Sequence, residues 1–431
     1  MSFTKDSAPI GFVGLSHLGI VSSIAAAAQQ FNVVAFDPRT GVAEALALGR
    51  FPVQEPGLEE LAAEHRARIH YTDRAEDVSS CSLIFFTLDV PTDENNRSDL
   101  TDLQELVGNI SAKAADGATL VIMSQVHPGF SRSIEQVLCN RGRSLRLFYQ
   151  VETLVFGNAV ARALHPERYI VGCGADTAIP ELYAEFLTAF HCPILPMRYE
   201  SAELCKIAIN CFLVSSVSTT NMLAEICEKI GADWAEIASA LRLDKRIGPH
   251  AYLSPGLGIG GGNLERDLVS IQNLAAEQGT DAGLVAAWQS NSTRRKEWAL
   301  RLLNEEGLLD QTKRSQLAVW GLAYKQDTHA TKNSAALALI RALRSYSIRA
   351  YDPAVHLNSA DFPDVTAFPS ALEAARGADV LLIMTPWREF SQAPLRELRE
   401  LMRGAYLFDP FGVLDRDVCL ELGFTYRRLG A

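Results

Sequence analysis

At 431 residues the chain exceeds a usual single hydrophobic core, so two or three domains are expected. A content of 48% hydrophobic and 21% charged residues is that of an ordinary globular protein and excludes a disordered or fibrous one. With 40 basic and 51 acidic residues the formal net charge is −11, which argues against nucleic acid or an anionic membrane as the main partner and points to small molecules.

The opening MSFTKDSAPIGFVGL passes quickly into a strand-like run without the layout of a secretion signal. No apolar run reaches the roughly 20 residues a bilayer crossing needs, so a cytoplasmic protein is expected. The eight cysteines are scattered with no Cys-x-x-Cys pair and read as reduced, mostly buried thiols. The nine histidines show no His-x-x-x-His spacing, so no metal site is expected.

Along the chain, IGFVGL (10–15), VVAFD (33–37), LIFFTL (83–88), TLVIM (119–123), LRLFYQ (145–150) and YIVGC (169–173) alternate with helix-length stretches. That rhythm predicts an α/β, doubly wound, mostly parallel sheet in a first domain over 1–195. From Ser201 a long helical pattern begins, with Leu204, Ile207, Phe212, Val214, Val217 and Leu223 spaced for burial and Gly231 as its stop. This opens a helical middle domain over 196–300. SQLAVWGLAY (315–324), SIRAYDP (347–353), DVLLIMTP (379–386) and AYLFDP (405–410) then predict a second Rossmann-like domain over 313–431.

Two stretches carry the chemistry. GLSHLG (14–19) fits G-x-G-x-x-G except for Ser16, and Asp37 ends the second strand 18 residues after Gly19. In such a turn the helix N-terminus meets a pyrophosphate and the acid takes the adenosine ribose diol, which favours NAD over NADP. Arg39 nearby weakens that preference. Ser16 carries a hydroxymethyl group into the pyrophosphate space, and His17 reads as a tolerated helix-start residue. The second stretch, PGLGIGGGNLERD (255–267), has five glycines from Gly256 to Gly262 and reads as a binding loop.

Together with EPGLEEL (55–61), VPT (90–92), VHPG (126–129), HPERYIVG (165–172), AELCKIAIN (202–210), DKRIG (244–248), GLAYKQDT (321–328), YDP (351–353) and TPW (385–387), the series resembles the nucleotide-sugar dehydrogenases typified by UDP-glucose and GDP-mannose dehydrogenases, in order and over essentially the whole chain. The resemblance implies an N-terminal NAD domain, a central helix forming a homodimer core, and a C-terminal domain that closes over a nucleotide-sugar. It places cofactor contacts at Gly14, Ser16, Gly19, Asp37, Arg39, Pro91, Thr92, Gln125 and Lys332. Substrate contacts fall at Arg246, Gly258, Gly260, Gly261 and Lys325, and catalytic positions at Lys206, Asn210, Asp267, Glu152 and Asn263. Lys206 and Asn210, four apart, share a helix face, where Lys206 could stabilise an alkoxide and Asn210 hold it or a water; alone, Lys206 reads as a solvated lysine. Asp267 matches an aspartate that positions or deprotonates a water.

The departures gather around the same chemistry. In the glycine loop the family's G-x-G-x-G-G-S-C-x-P-K-D has Gly262 for serine, Asn263 for cysteine, Glu265 for proline and Arg266 for lysine. Asn263 cannot replace a thiolate, because its amide lone pair is delocalised. N-P-E-F-L-x-E-G becomes QVETLVFG (150–157), keeping Glu152 but putting Phe156 at the second glutamate. Gln125 stands for a threonine, Lys332 for an arginine, and FDPFG (408–412) lacks an Arg-Asn pair. Three readings are open: one two-electron oxidation ending at an aldehyde or ketone, a full oxidation through a gem-diol, or a catalytically silent nucleotide-binding homologue. A β-hydroxyacid dehydrogenase would lack the C-terminal α/β domain that GLAYKQDT and YDP imply.

Overall fold

The computed structural model describes residues 8–93, 95–174, 178–309, 315–358 and 360–431. The chain divides into two compact units, residues 1–209 and 210–431. The expected start of the C-terminal domain, at Lys313, lies outside the described residues.

The first unit is built on eight strands: β1 (Ile10–Val13), β2 (Val33–Phe36), β3 (Ile69–Thr72), β4 (Leu83–Phe86), β5 (Thr119–Ile122), β6 (Arg146–Gln150), β7 (Tyr169–Cys173) and β8 (Ile194–Arg198). Their order is β3-β2-β1-β4-β5-β6-β7-β8, and every pair is parallel except β6 with β7. The first six strands thus adopt the doubly wound order 3-2-1-4-5-6. β1, β2, β4 and β5 are buried at every residue, because parallel strands covered by helices on both faces need continuous apolar runs.

The second unit repeats the plan with β9 (Leu317–Trp320), β10 (Ile348–Tyr351), β11 (Val365–Ala367), β12 (Val380–Ile383), β13 (Tyr406–Phe408) and β14 (Thr425–Arg427), all parallel in the order β11-β10-β9-β12-β13-β14. The strands absent from the sequence reading are β3, β8, β11 and β14. All four are sheet edges, only partly buried, so they lack the apolar run that marks a central strand.

A single helix runs from Tyr199 to Ile230, slightly longer than the pattern predicts. It corrects two expectations. Its most apolar window has a mean hydropathy of 1.4, so by length and composition it is one helix apolar enough to cross a bilayer. Of the residues expected in the core, Ile207 and Val214 are buried, whereas Leu204 is 41% and Phe212 79% exposed in the single chain. In the second unit Glu225 and Glu228 of this helix draw Arg294 and the fully buried Arg295 of helix Gly283–Lys296, at 2.6 and 3.0 Å. The cysteines are all unbridged, as expected, but fewer are buried than expected: Cys81, Cys227 and Cys419 are, while Cys139 is exposed and the rest are intermediate.

Candidate active site

In the first unit the chain leaves β1 at Gly14, whose φ of +89° suits glycine, and a helix begins at His17. A Cβ on Gly19 would lie 2.2 Å from the carbonyl oxygen of Gly14, so glycine alone lets this helix close onto the strand. Thr87 Oγ1 donates to the same carbonyl at 2.8 Å, fixing the turn against the end of β4. The Ser16 hydroxyl donates to the Thr87 carbonyl at 2.7 Å, so it is bound into the fold and is not aimed at the helix N-terminus. No acidic residue occupies the first turn of helix His17–Ala28. Its N–H groups and dipole therefore suit a diphosphate, and the residues present fit the dinucleotide that a Rossmann turn takes.

The acid expected to receive the ribose diol is closed instead. Asp37 is fully buried and holds the Leu15 N–H at 2.7 Å and the guanidinium of Arg39 at 2.7 and 2.8 Å. Beyond β4, the Pro91 carbonyl accepts the Asp99 N–H at 2.9 Å and Thr92 forms a bridge with Ser98, while Gln125 is half-buried after β5.

Lys206 is no solvated lysine. Its side chain is 14% exposed, its Nζ donates to the Glu152 carbonyl at 2.7 Å, and it stands 3.6 Å from Glu152 Oε2. Burial pushes the Glu152 carboxyl above the usual carboxylate range, with the Lys206 charge opposing the shift. A carboxyl held this way takes up a proton more readily than an ordinary carboxylate.

Two positioning carboxylates escape a reading of the sequence, although both lie inside quoted motifs. Glu55 of EPGLEEL accepts the Gly157 and Ala159 N–H groups at 3.0 and 3.1 Å and pairs with His17 Nε2 at 2.8 Å. His17, stacked on Phe156 with ring centroids 4.2 Å apart, thereby ties the fingerprint helix to the loop that carries Glu152. It is a bonded junction rather than a merely tolerated residue. Glu203 of AELCKIAIN is fully buried and takes the Gly129 and Ser131 N–H groups at 2.6 and 2.7 Å, closing the N-terminus of helix Phe130–Asn140.

In the second unit Asn210 Nδ2 donates to Asp267 Oδ2 at 2.5 Å. Asp267 is buried, and Arg266 Nε lies 3.5 Å from its Oδ1. Asn263 is the first residue of helix Asn263–Gln278, a position whose dipole would favour a thiolate and where the chain has a neutral amide. Glu265 pairs with Lys296 at 2.8 Å.

The loop glycines answer first to the chain's own packing. A Cβ on Gly258 would meet the Ser292 carbonyl at 2.5 Å, and one on Gly261 the Tyr324 ring at 2.8 Å; Gly260 lies against the same ring. The Lys332 carbonyl accepts the Gly261 N–H at 3.0 Å, and Asn333 Nδ2 donates to the Gly261 carbonyl at 2.7 Å. Lys325 lies over the Tyr324 ring, its Nζ 5.8 Å from the centroid. Arg246 is 89% exposed at its side chain and forks onto Asp244 at 2.6 and 3.0 Å.

Two Rossmann-like sheets, a glycine-marked helix start and a buried lysine–carboxylate pair define a dinucleotide-dependent oxidoreductase. Three models of one family match consecutive parts of the chain: the NAD binding domain of the UDP-glucose/GDP-mannose dehydrogenase family over residues 8–189, its central domain over 200–293 and its UDP binding domain over 318–416. The chain belongs to the UDP-glucose/GDP-mannose dehydrogenase family, NAD-dependent oxidoreductases that act on nucleotide-sugars. It is 29% identical to a UDP-glucose 6-dehydrogenase of Pseudomonas aeruginosa, over 97% of this chain and 96% of that one. A UDP-glucose 6-dehydrogenase of Rickettsia typhi is 28% identical over 98% and 99%. The solved UDP-D-ManNAc dehydrogenase of Pyrococcus horikoshii shares the fold, with a TM-score of 0.86 at 24% identity over 98% of this chain and 99% of that one.

Proposed function

We propose that the protein oxidises the alcohol of a nucleotide-sugar, or of a related nucleotide-linked molecule, by one two-electron step and releases an aldehyde or ketone. Bound NAD supplies the hydride acceptor. Lys206 holds the developing alkoxide, and Glu152, with its raised carboxyl, receives the hydroxyl proton. Within the second unit, Asn210 and Asp267 form a polar pair able to orient a water.

The observation that carries the reading is Asn263. It occupies the helix start where the family resemblance implies a thiol, and an amide forms no thiohemiacetal from which a second hydride could leave. The pairs Lys206–Glu152 and Asn210–Asp267, by contrast, keep what a first hydride transfer needs. The Asn210–Asp267 pair also favours a second reading, in which a water adds to the aldehyde and the gem-diol gives up a second hydride. NADH counted per product, with the product identified by mass, separates the two. One NADH and a carbonyl product are expected. Two NADH and a carboxylic acid would overturn the single-step reading. In Asn263→Cys the helix start should activate the new thiol, and acid formation is expected to appear.

The exposed Phe212, Met222 and Ile226 of the long helix support a homodimer as their cover. Light scattering should give twice the chain mass, and a monomer would exclude it.

A further inference from the structure

We infer that the cofactor site accepts a phosphate on the 2′-oxygen of the adenosine ribose, so that the protein binds NADP as well as NAD, and that Arg39 is the residue that decides this. An acid at the end of the second strand of a Rossmann domain selects NAD because its free oxygens take the ribose diol and its charge repels a 2′-phosphate. Asp37 does neither here. Its Oδ2 accepts the Leu15 N–H at 2.7 Å and Arg39 Nη2 at 2.7 Å; its Oδ1 accepts the Arg39 N–H at 2.9 Å and Arg39 Nε at 2.8 Å. A carboxylate offers about four lone-pair sites, and the chain's own donors fill them. The side chain is 0% exposed beneath these donors, so its oxygens are closed to a ribose while the Arg39 guanidinium stays on them.

What the turn presents instead is a cation. The Arg39 side chain is 56% exposed, and its bonds to Asp37 run through Nε and Nη2, with Nη1 taking part in none of them. Nη2 also reaches the Leu15 carbonyl at 3.4 Å, which holds the guanidinium over the first turn of the dinucleotide fold. The charge of Asp89 also acts on Arg39, less strongly than that of Asp37. A planar guanidinium anchored along one edge and open along the other matches a phosphate better than a diol. NAD keeps its diphosphate contacts at the helix N-terminus but gains no carboxylate bond to its ribose, so the two dinucleotides come close in affinity.

Calorimetric titration of the full chain with NAD and with NADP tests this without reference to turnover. The expected dissociation constants lie within about tenfold of each other, and a preference for NAD larger than that would overturn the inference. In Arg39→Leu, NADP should weaken by about tenfold or more while NAD holds or tightens, because Asp37 is released to the ribose diol. Arg39→Lys keeps a charge beside buried Asp37 and loses only the fork, so it covers a leucine variant that fails to fold. It should weaken NADP severalfold and leave NAD unchanged. Equal loss of both dinucleotides in either folded variant would overturn the assignment. Binding of neither by the unaltered chain would remove the dinucleotide site itself and the inference with it.

Discussion

The two sheets carry the same equipment at the ends of their strands and put it to different use. β1 is followed by Gly14 and β9 by Gly321, both with φ of +89°. The Thr87 hydroxyl donates to the Gly14 carbonyl, and the Thr385 hydroxyl donates to the Ala323 carbonyl at 2.6 Å. β2 is followed by Asp37 and β10 by Asp352, each buried and each taking the N–H of the residue after the glycine, Leu15 at 2.7 Å and Leu322 at 2.6 Å. Past the glycine the two halves diverge. After Gly14 a helix begins at His17, whereas after Gly321 the next helix, Ala335–Ala342, waits for residues 321–334 to pass, including Lys325 and Lys332. Asp37 is covered by an exposed arginine and Asp352 by the indole N–H of Trp387 at 3.0 Å. Glycine, threonine and acid are therefore the joinery of the fold. The ligand preference is set by the helix start and by the group that covers the acid.

Alanine at the glycines tests that division most severely. In Gly19→Ala the new Cβ meets the Gly14 carbonyl at 2.2 Å and Thr87 Oγ1 at 2.6 Å, and backbone cannot step aside. A loss of about 3 kcal/mol in a urea melt is expected, together with loss of NAD binding. Gly321→Ala combines a positive φ with a Cβ 2.4 Å from that of Thr385, so a comparable loss of stability is expected. NAD affinity, measured on the fraction that remains folded, should be unchanged. A folded Gly321→Ala chain with weakened NAD binding would show the second glycine serving the cofactor too, and the distinction would fall.

Burial decides which elements are legible in the sequence alone. Central strands such as LIFF and VLLI are covered on both faces, so their apolar runs stand out, while edge strands such as IHYT and TYR alternate and do not. The long helix is legible in position but not in exposure, because a face buried in an assembly and a face buried in the chain use the same residue types; Phe212 is the example. Residue types at Lys206, Glu152, Asn210 and Asp267 point to chemistry. Their pairing as Lys206 with Glu152 and Asn210 with Asp267 needs the fold, since each pair is more than 50 residues apart in sequence. The two acids Glu55 and Glu203 sit inside recognisable motifs, yet nothing local marks a carboxylate whose partners are backbone N–H groups from distant turns. Asp37 shows a contact that position alone does not reveal. Its position predicts a ligand contact, and Arg39, two residues on, already fills it.

The smallest expected effect sharpens the comparison at the second acid. Asp352 accepts four backbone N–H groups, from Leu322, Ala323, Ala354 and Val355, besides the Trp387 indole. Trp387→Phe keeps an aromatic ring at a site only 9% exposed and removes one donor from a carboxylate that retains those four. Losing a hydrogen bond to a charged group costs about 1.5–3 kcal/mol, and the retained donors should hold the loss near about 1 kcal/mol in a urea melt. NAD and NADP affinities should not move. The removal of the guanidinium at Asp37, in Arg39→Leu, is expected to change cofactor choice as well as stability, because it leaves a buried carboxylate with only two backbone N–H donors. A Trp387→Phe chain with altered NAD binding, or an Arg39→Leu chain that loses stability without changing its cofactor ratio, would make the two covering groups equivalent. The acids would then be structural in both halves, and cofactor choice would have to lie elsewhere in the first turn.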